Sequence, residues 1–428
     1  TSLEDEGDGA WGASELKRTS LSLSHSGNWS FGTSKVTGYW TEFKNDIGPT
    51  GRSEAKDMIL EGSLSTPFTL WVDHQLSVGG QWKRQELTNT DTIGQAPVDY
   101  AGNPVNGASL EVDTWAVFVE DELKLHETLA LTLGARLDHH EQFGSHVSPR
   151  AYLVYHPAES WTLRGGISKG FRAPSLTENA ASAATQSGGR GCGSLRPLGY
   201  VTGGCYMAGN PNLDPIRATM VELGLEWYFQ PGAVAGVGLF RKNVDNFTVP
   251  VVTDQQMDVG GEMVTVQNYS TEANGRDGVS QGVELYGQYT FDMGFGIQAN
   301  YTYNDTNLAA IVLDGENIGE SPLVGSAKNQ ANITVFYENE TFLARASYNR
   351  RGEVVGGPVN GMSQYSEPYD QLDLNVAFNF TDALAFTASV LNATKSEQRI
   401  NLGNDTTARL ISNTYTGRQL YFGVNYKF

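Results

Sequence analysis

The sequence has no run of 18 or more apolar residues, which argues against a transmembrane helix. Positive charge is also scarce: 29 Lys and Arg stand against 48 Asp and Glu, and the net charge of -19 disfavours nucleic acid as a partner. No Gly-, Ser- or Pro-rich linker divides the 428 residues, so a single architecture is expected. The fold must therefore be read from local patterns in an acidic chain.

Cysteine is nearly absent, since Cys192 and Cys205 are the only two and enclose twelve residues rich in Gly. No His lies between Pro174 and Asn210, so a metal site there would lack further ligands. A disulfide is the favoured interpretation, and closing a loop of this length would stabilise the fold by roughly 3 kcal/mol. It would require an oxidising compartment such as the bacterial periplasm.

What the sequence does contain is apolar residues at every second position. This is the period of a β-strand with one buried or lipid-facing side. The opposite face of each predicted strand carries charges and amides, which need water or polar partners. The alternation is clear in segments 129–138, 283–291 and 372–380, and in the last nine residues at Leu420, Phe422, Val424, Tyr426 and Phe428.

A soluble β-sandwich would show the same alternation, so it must be weighed against a membrane barrel. Strands of about ten residues, and short turns that alternate with much longer loops, favour the barrel. Aromatic residues near the strand ends point the same way. They include Trp29, Trp40, Trp161, Trp227 and Tyr228. We therefore expect an all-β fold, a transmembrane antiparallel β-barrel.

The pattern predicts about seventeen strands, at 15–24, 33–43, 54–65, 74–85, 113–124, 129–140, 147–156, 161–170, 219–229, 234–247, 278–291, 295–305, 328–338, 341–351, 369–380, 384–392 and 416–428. Short connections, the first at 25–29, are expected on the periplasmic side. The long ones, at 86–112, 171–218, 306–327, 352–368 and 393–415, are expected to be extracellular. An odd number of strands leaves the first and last strands parallel, so an antiparallel barrel cannot close with these strands alone.

Two short motifs flank the longest connection: GFRAPS at 170–175 and NPNL at 210–213. Together with ELGLEW at 222–227, QGVELYG at 281–287 and the C-terminal TGRQLYFGVNYKF, they resemble TonB-dependent outer-membrane receptors. The pair of cysteines followed by Tyr206 is most similar to ferric enterobactin (catecholate siderophore) receptors.

This resemblance implies a barrel of about 22 strands that is filled by a plug domain. Residues 1–428 would be the C-terminal part of the barrel, and the plug and the first strands would be absent from this chain. The protein would lie in the lipid of the bacterial outer membrane and contact the TonB complex through that plug. It would transport a ferric siderophore as ligand, with no resident cofactor or metal and no enzymatic activity, and a phage or bacteriocin is a further candidate partner.

A ferric tris-catecholate is anionic and aromatic, so its site calls for Arg or Lys beside aromatic side chains at the extracellular strand ends. The cluster at 82–84 is the leading candidate. For each candidate residue, the alternative interpretation is a structural one: an aromatic side chain in the girdle at the membrane interface, or a solvated charge in a loop. The candidate ligand-binding residues are Trp40, Lys44, Arg52, Trp82, Lys83, Arg84, Arg190, Arg196 and Tyr206.

The sequence disfavours two other functions and leaves three open. Haem uptake is disfavoured because the loop between the two motifs offers no His as an axial ligand. The segment 166–170 fits the G-x-S-x-G motif of a catalytic serine. A nucleophile elbow of this kind needs a helix directly after the motif, however, and Pro174 disfavours a helix there. A passive pore, an adhesion or phage-binding barrel, and TonB-dependent uptake of a neutral cargo such as an oligosaccharide or cobalamin stay open.

Overall fold

The computed structural model of the protein describes residues 14–47, 51–90, 107, 109–180, 184–186, 205–209, 213–246, 249–259, 262–270, 278–306, 309–313, 316–321, 325–359, 362–403 and 408–427. The first eight strands are β1 (Ser14–Trp29), β2 (Gly32–Ile47), β3 (Gly51–Leu70), β4 (Val72–Asn89), β5 (Ser109–His126), β6 (Leu129–His140), β7 (Gly144–Ala158) and β8 (Trp161–Arg172). They are followed by helix α1 (Leu176–Asn179), β9 (Ala184–Gln186), β10 (Cys205–Ala208), β11 (Ile216–Gln230), β12 (Ala233–Asp245), β13 (Val249–Val259) and β14 (Glu262–Ser270).

The remaining strands complete the described chain. They are β15 (Gly278–Thr290), β16 (Phe295–Thr306), β17 (Ala309–Leu313), β18 (Glu316–Ser321), β19 (Asn329–Glu338), β20 (Phe342–Arg351), β21 (Val354–Val359), β22 (Met362–Ser366), β23 (Tyr369–Thr381), β24 (Leu384–Leu391), β25 (Gln398–Leu402), β26 (Arg409–Thr414) and β27 (Gln419–Tyr426). None of the described helical structure is long and apolar enough to cross a membrane.

Seventeen strands form one antiparallel sheet, which confirms the number predicted from the alternation. The members are β1 to β8, β11, β12, β15, β16, β19, β20, β23, β24 and β27, and each pairs with the members before and after it. Among the described residues, β1 pairs only with β2, and β27 only with β24. Because the number of strands is odd, β1 and β27 run in the same direction.

The long connections contain ten further strands that the alternation did not predict. β9, β10, β13 and β14 form one four-stranded sheet, β21, β22, β25 and β26 form another, and β17 pairs with β18. β10 runs parallel to β14, so the connections after β8 and after β12 share one sheet. Most of these strands have six residues or fewer, which is too short for a period of two to stand out.

The turn predicted at 25–29 is also wrong, because this segment belongs to β1. The paired register between β1 and β2 continues without interruption to the pair of Trp29 with Gly32. The turn therefore consists of residues 30–31 alone.

The register of the main sheet assigns each side chain to one of two faces, because directly paired residues in an antiparallel sheet point to the same side. One face carries exposed apolar side chains such as Leu60, Val117 and Leu285. The other carries polar side chains such as Gln81 and Arg136, which hydrogen-bond to each other. The two predicted faces are thus the lipid-facing outer wall and the polar inner wall of a barrel.

Outward-facing aromatic rings gather at the end of the sheet where the connections are short. Trp161 stacks on Trp227 with ring centroids 5.4 Å apart, and Trp227 contacts Phe229 at 4.9 Å. Such a belt is typical of the membrane-water interface. Tyr228 does not belong to this belt, contrary to the prediction. Its side chain faces inward, and its hydroxyl donates to Glu226 at 3.0 Å.

On the inner wall, aromatic rings lie over glycines of the neighbouring strand. A Cβ on any of these glycines would overlap the ring of its partner. The missing side chain lets each ring lie against the wall instead of projecting, so the lumen stays wide. The directly paired examples are Phe118 with Gly79, Tyr152 with Gly166, Phe240 with Gly282, Tyr286 with Gly236 and Phe336 with Gly296.

Candidate functional site

The first motif, GFRAPS, joins the end of β8 to α1. The Ser175 hydroxyl accepts a hydrogen bond from the Glu178 backbone N–H at 3.3 Å, and the Glu178 carboxylate accepts one from the Ser175 backbone N–H at 2.7 Å. This reciprocal capping box fixes the start of the helix. Arg172 donates to the two carboxylate oxygens of Glu178 at 3.1 and 2.8 Å, which ties the strand end to the helix.

The same contacts set the charge state of Glu178. Burial alone would raise the pKa of this carboxyl, but the hydrogen bonds from Ser175 and the nearby charge of Arg172 outweigh burial, and the pKa is lowered. Glu178 is therefore an anion at neutral pH and holds the capping box together.

The chain returns to this helix at Gly209, the residue before the second motif, NPNL. Gly209 lies so close to the carbonyl oxygens of Thr177 and Ala180 that a Cβ there would overlap them. Leu213 at the end of the motif is almost completely buried, and so is Asn179 in α1. The residue before the second motif thus packs against the helix that follows the first motif, at the base of the longest connection, where α1 lies beside β5.

A recess of about 290 Å³ opens between this base and the inner wall. Its volume is close to the lower limit of small-ligand pockets, about 300 Å³. The recess lies at the end of the lumen where the connections are long. Inward-facing side chains of β4, β5 and β6 form its wall, and the start of α1 covers it: Gln81, Lys83, Gln85, Thr114, Arg136, Asp138, His140, Pro174, Ser175 and Leu176.

Most polar groups of the recess already have partners. Arg136 donates to Asp138 at 2.8 Å and to Gln81 at 3.1 Å. Gln85 donates to Asp57 at 2.9 Å. Within the described part of the chain, the Lys83 side chain makes no ion pair. Its ammonium group can therefore meet an anionic ligand without first losing a carboxylate partner.

The candidate ligand-binding residues do not form one cluster. Trp82, Lys83 and Arg84 are consecutive on β4, so Lys83 faces the recess whereas Trp82 and Arg84 face outward. The register places Trp40, Lys44 and Arg52 on the outer face as well. Tyr206 lies in β10, and Arg190 and Arg196 lie outside the described residues. Of the nine residues, the structure assigns Lys83 to the recess.

The predicted disulfide is not tested. Cys205 begins β10, but Cys192 lies outside the described residues. The pairing stays a prediction.

A second polar cluster on the inner wall was not predicted. Arg164 on β8 and Tyr286 on β15 both contact the carboxylate of Glu226 on β11. Tyr286 reaches Glu226 by crossing β12 over Gly236. The polar residues of ELGLEW and QGVELYG do indicate an inner face, but their meeting depends on the register of four strands, which one sequence does not reveal.

A wall of seventeen antiparallel strands, apolar outside and polar inside, with short turns at one end and folded connections at the other, defines an outer-membrane β-barrel. The chain belongs to the family described as TonB dependent receptor-like, beta-barrel, whose model matches residues 2–393.

Curated relatives share moderate sequence identity with the chain. The ferric enterobactin receptor PirA of Pseudomonas aeruginosa is 29% identical over 63% of this chain and 38% of its own length. An iron-regulated outer membrane virulence protein of Vibrio cholerae is 26% identical over 88% of this chain and 53% of its own length. The chain thus spans roughly half or less of these relatives.

Solved structures share the fold. The siderophore receptor PirA of Acinetobacter baumannii superposes with a TM-score of 0.77 at 19% identity, covering 97% of this chain and 63% of that one. A mutant of the ferric enterobactin receptor PfeA of Pseudomonas aeruginosa gives a TM-score of 0.78 at 20% identity, covering 97% of this chain and 62% of that one.

Proposed function

We propose that this chain forms most of the barrel wall of a TonB-dependent receptor that takes up a ferric siderophore, with the catecholate type favoured. The observation that carries the proposal is the capped base of the longest connection, which covers a polar recess in the lumen of a barrel of this family. Relatives named as ferric enterobactin receptors support the class of ligand.

The complete receptor would add about five strands and a plug. In lipid, the outer edges of β1 and β27 would leave backbone groups without hydrogen bonds, and their parallel direction prevents them from pairing antiparallel with each other. The rings that lie flat on the inner wall keep the lumen wide, so an unfilled barrel would leak. A plug that the TonB complex moves would close the lumen until a ligand arrives.

Lys83 is the residue that we propose meets the ligand. A ferric catecholate carries negative charge on its oxygens, and a charge-assisted hydrogen bond from an ammonium group is stronger than a neutral one. The recess beside Lys83 lies at the end of the lumen through which a ligand from outside would enter.

Uptake of radioactive iron by cells tests the proposed function. The complete receptor would be expressed in bacteria that lack their own siderophore receptors, with or without TonB, and iron would be supplied on a catecholate or a hydroxamate siderophore. We expect uptake only from the catecholate and only with TonB. Entry of small solutes without TonB would instead identify a passive pore, and TonB-dependent growth on cobalamin or an oligosaccharide without siderophore uptake would identify a neutral cargo.

A further inference from the structure

A histidine outside the predicted set lies in the wall of the recess. His140 ends β6, and the register pairs Thr114 of β5 with both Lys83 of β4 and His140. The three side chains therefore form one row on the inner face, in which Lys83 and His140 are two strand spacings apart, about 10 Å. All three line the recess. A ligand that meets the ammonium group of Lys83 thus lies within reach of the imidazole.

The His140 ring is held in place from two sides. It packs on the Phe143 ring with the centroids 4.8 Å apart, and its Nδ1 accepts a hydrogen bond from the backbone N–H of Gln142 at 3.2 Å. The side-chain oxygen of Gln142 in turn accepts a hydrogen bond from Asn179, which ties the turn after β6 to α1. Only 7% of the surface of His140 is exposed. The ring orientation is therefore fixed before a ligand arrives.

The bond from Gln142 also determines which ring nitrogen carries the proton. A neutral imidazole has one donor and one acceptor nitrogen, whereas an imidazolium has two donors. Since Nδ1 accepts, the ring is neutral and Nε2 carries the hydrogen. Within the described part of the chain, Nε2 has no hydrogen-bond partner and is not enclosed by protein atoms. An N–H donor is thus open at the wall of the recess.

This tautomer is unsuited to metal ligation. A ligating histidine uses the lone pair of one ring nitrogen and donates the N–H of the other to an acceptor. Here Nδ1 faces an N–H group and Nε2 holds the proton, so ligation through Nε2 would move the proton to Nδ1 and break the bond from Gln142. The nitrogen that is open to the recess suits an oxygen acceptor instead.

We propose that His140 binds the ligand by donating its Nε2–H to an oxygen of the chelator, without coordinating the iron. This inference rests on the proposed function. Lys83 supplies charge and His140 supplies a neutral donor of fixed direction, so the pair recognises an iron complex whose own ligands present several oxygens. A ferric catecholate meets this requirement because its negative charge lies on those oxygens. A haem iron requires an axial ligand from the protein, which His140 does not offer.

Binding of a ferric catecholate to the complete receptor in detergent, measured by quenching of intrinsic fluorescence, tests the proposal. His140→Phe keeps a ring but loses the donor, and we expect it to weaken the affinity about tenfold, as for a hydrogen bond to a charged group. His140→Gln should stay within about twofold of the wild type because its side-chain amide replaces the Nε2–H donor. Both variants lose the acceptor for the Gln142 N–H, so the difference between them isolates the donor.

His146→Phe is the matched control. His146 lies in the same hairpin, stacks on Phe171 with the centroids 4.4 Å apart and contacts the Phe143 carbonyl through Nε2, but it does not line the recess. We expect its affinity to equal that of the wild type. A loss as large as that of His140→Phe would mean that any disturbance of the hairpin weakens binding, which would overturn the inference.

Two further results would overturn the inference and leave the proposed function intact: wild-type affinity in His140→Phe, or equal losses in His140→Phe and His140→Gln. A wild-type receptor that does not bind the ferric catecholate would overturn the proposed function as well. Titration with haemin tests coordination directly. We expect the same absorption spectrum with the wild type and with His140→Phe, whereas a spectrum of histidine-ligated haem that His140→Phe abolishes would show that His140 is a ligand to iron.

Discussion

The outer and inner walls of the barrel differ most sharply at three consecutive residues, 82–84. Trp82 lies at the rim of an apolar groove that faces lipid, Lys83 lines a polar recess in the lumen, and Arg84 returns to the outer face among carboxylates. Residues adjacent in the chain therefore meet different solvents and different partners. Proximity in sequence is a poor guide to a site in a barrel, whereas position within the two-residue period is a good one.

A charge placed on the outer wall should have the largest effect. Leu285 is exposed on the outer face of β15, and Leu285→Arg should destabilise the barrel by about 2–4 kcal/mol because the guanidinium would lie in hydrocarbon. Gln288→Arg, on the inner face of the same strand, should change stability by much less. Urea unfolding of the reconstituted receptor would measure both, and equal losses would contradict the assignment of faces.

The flat rings of the inner wall should be sensitive to small additions. Gly236→Ala would force the Tyr286 ring off the wall and away from Glu226, at a cost of about 1–3 kcal/mol. Gly238→Ala is the matched control, because its nearest neighbour would lie at 3.7 Å, an ordinary contact. If urea unfolding gave the two variants the same stability, the rings would not be held as described.

Substitutions of Lys83 and of Arg84 should have different effects on the affinity for the ligand. Lys83→Ala should weaken ferric-catecholate binding about tenfold, since a hydrogen bond to a charged group contributes about 1.5–3 kcal/mol. Arg84→Ala should leave binding unchanged because this side chain faces outward. Quenching of intrinsic fluorescence on titration would measure both affinities, and a loss with Arg84→Ala alone would reverse the proposed site.

The base of the longest connection should show the smallest effect, and it should depend on pH. The lowered pKa of Glu178 means that its stabilising contacts are complete above the ordinary value of 4.5 and are lost as the pH falls through the lowered value. The protection of the α1 amides against hydrogen exchange, taken relative to the intrinsic exchange rate at each pH, should therefore fall on acidification. Glu178→Gln should remove this pH dependence, whereas Glu159→Gln, in a short turn at the other rim, should preserve it.

The main sheet could be predicted because each of its strands is long enough to show the two-residue period. The ten strands of the connections could not, since most of them have six residues or fewer, which carry little periodicity, and their pairing is set by other connections. The prediction that Trp82, Lys83 and Arg84 form one binding cluster rested on their adjacency in the sequence. The alternation of side chains along a strand places Lys83 on the opposite face from Trp82 and Arg84, so this separation could have been predicted. The contact of Tyr286 with Glu226 depends on cross-strand register, which the sequence does not encode locally.

The sheet shared by the connections after β8 and after β12 has a consequence for how the surface of this protein can diverge. The parallel pair of β10 and β14 makes the backbone of one connection a partner of the other. A change in either segment that lets the bacterium escape antibodies or viruses would have to preserve the strand edge to which the other segment hydrogen-bonds. We expect insertions in the two segments to occur together across related bacteria, as one evolving unit.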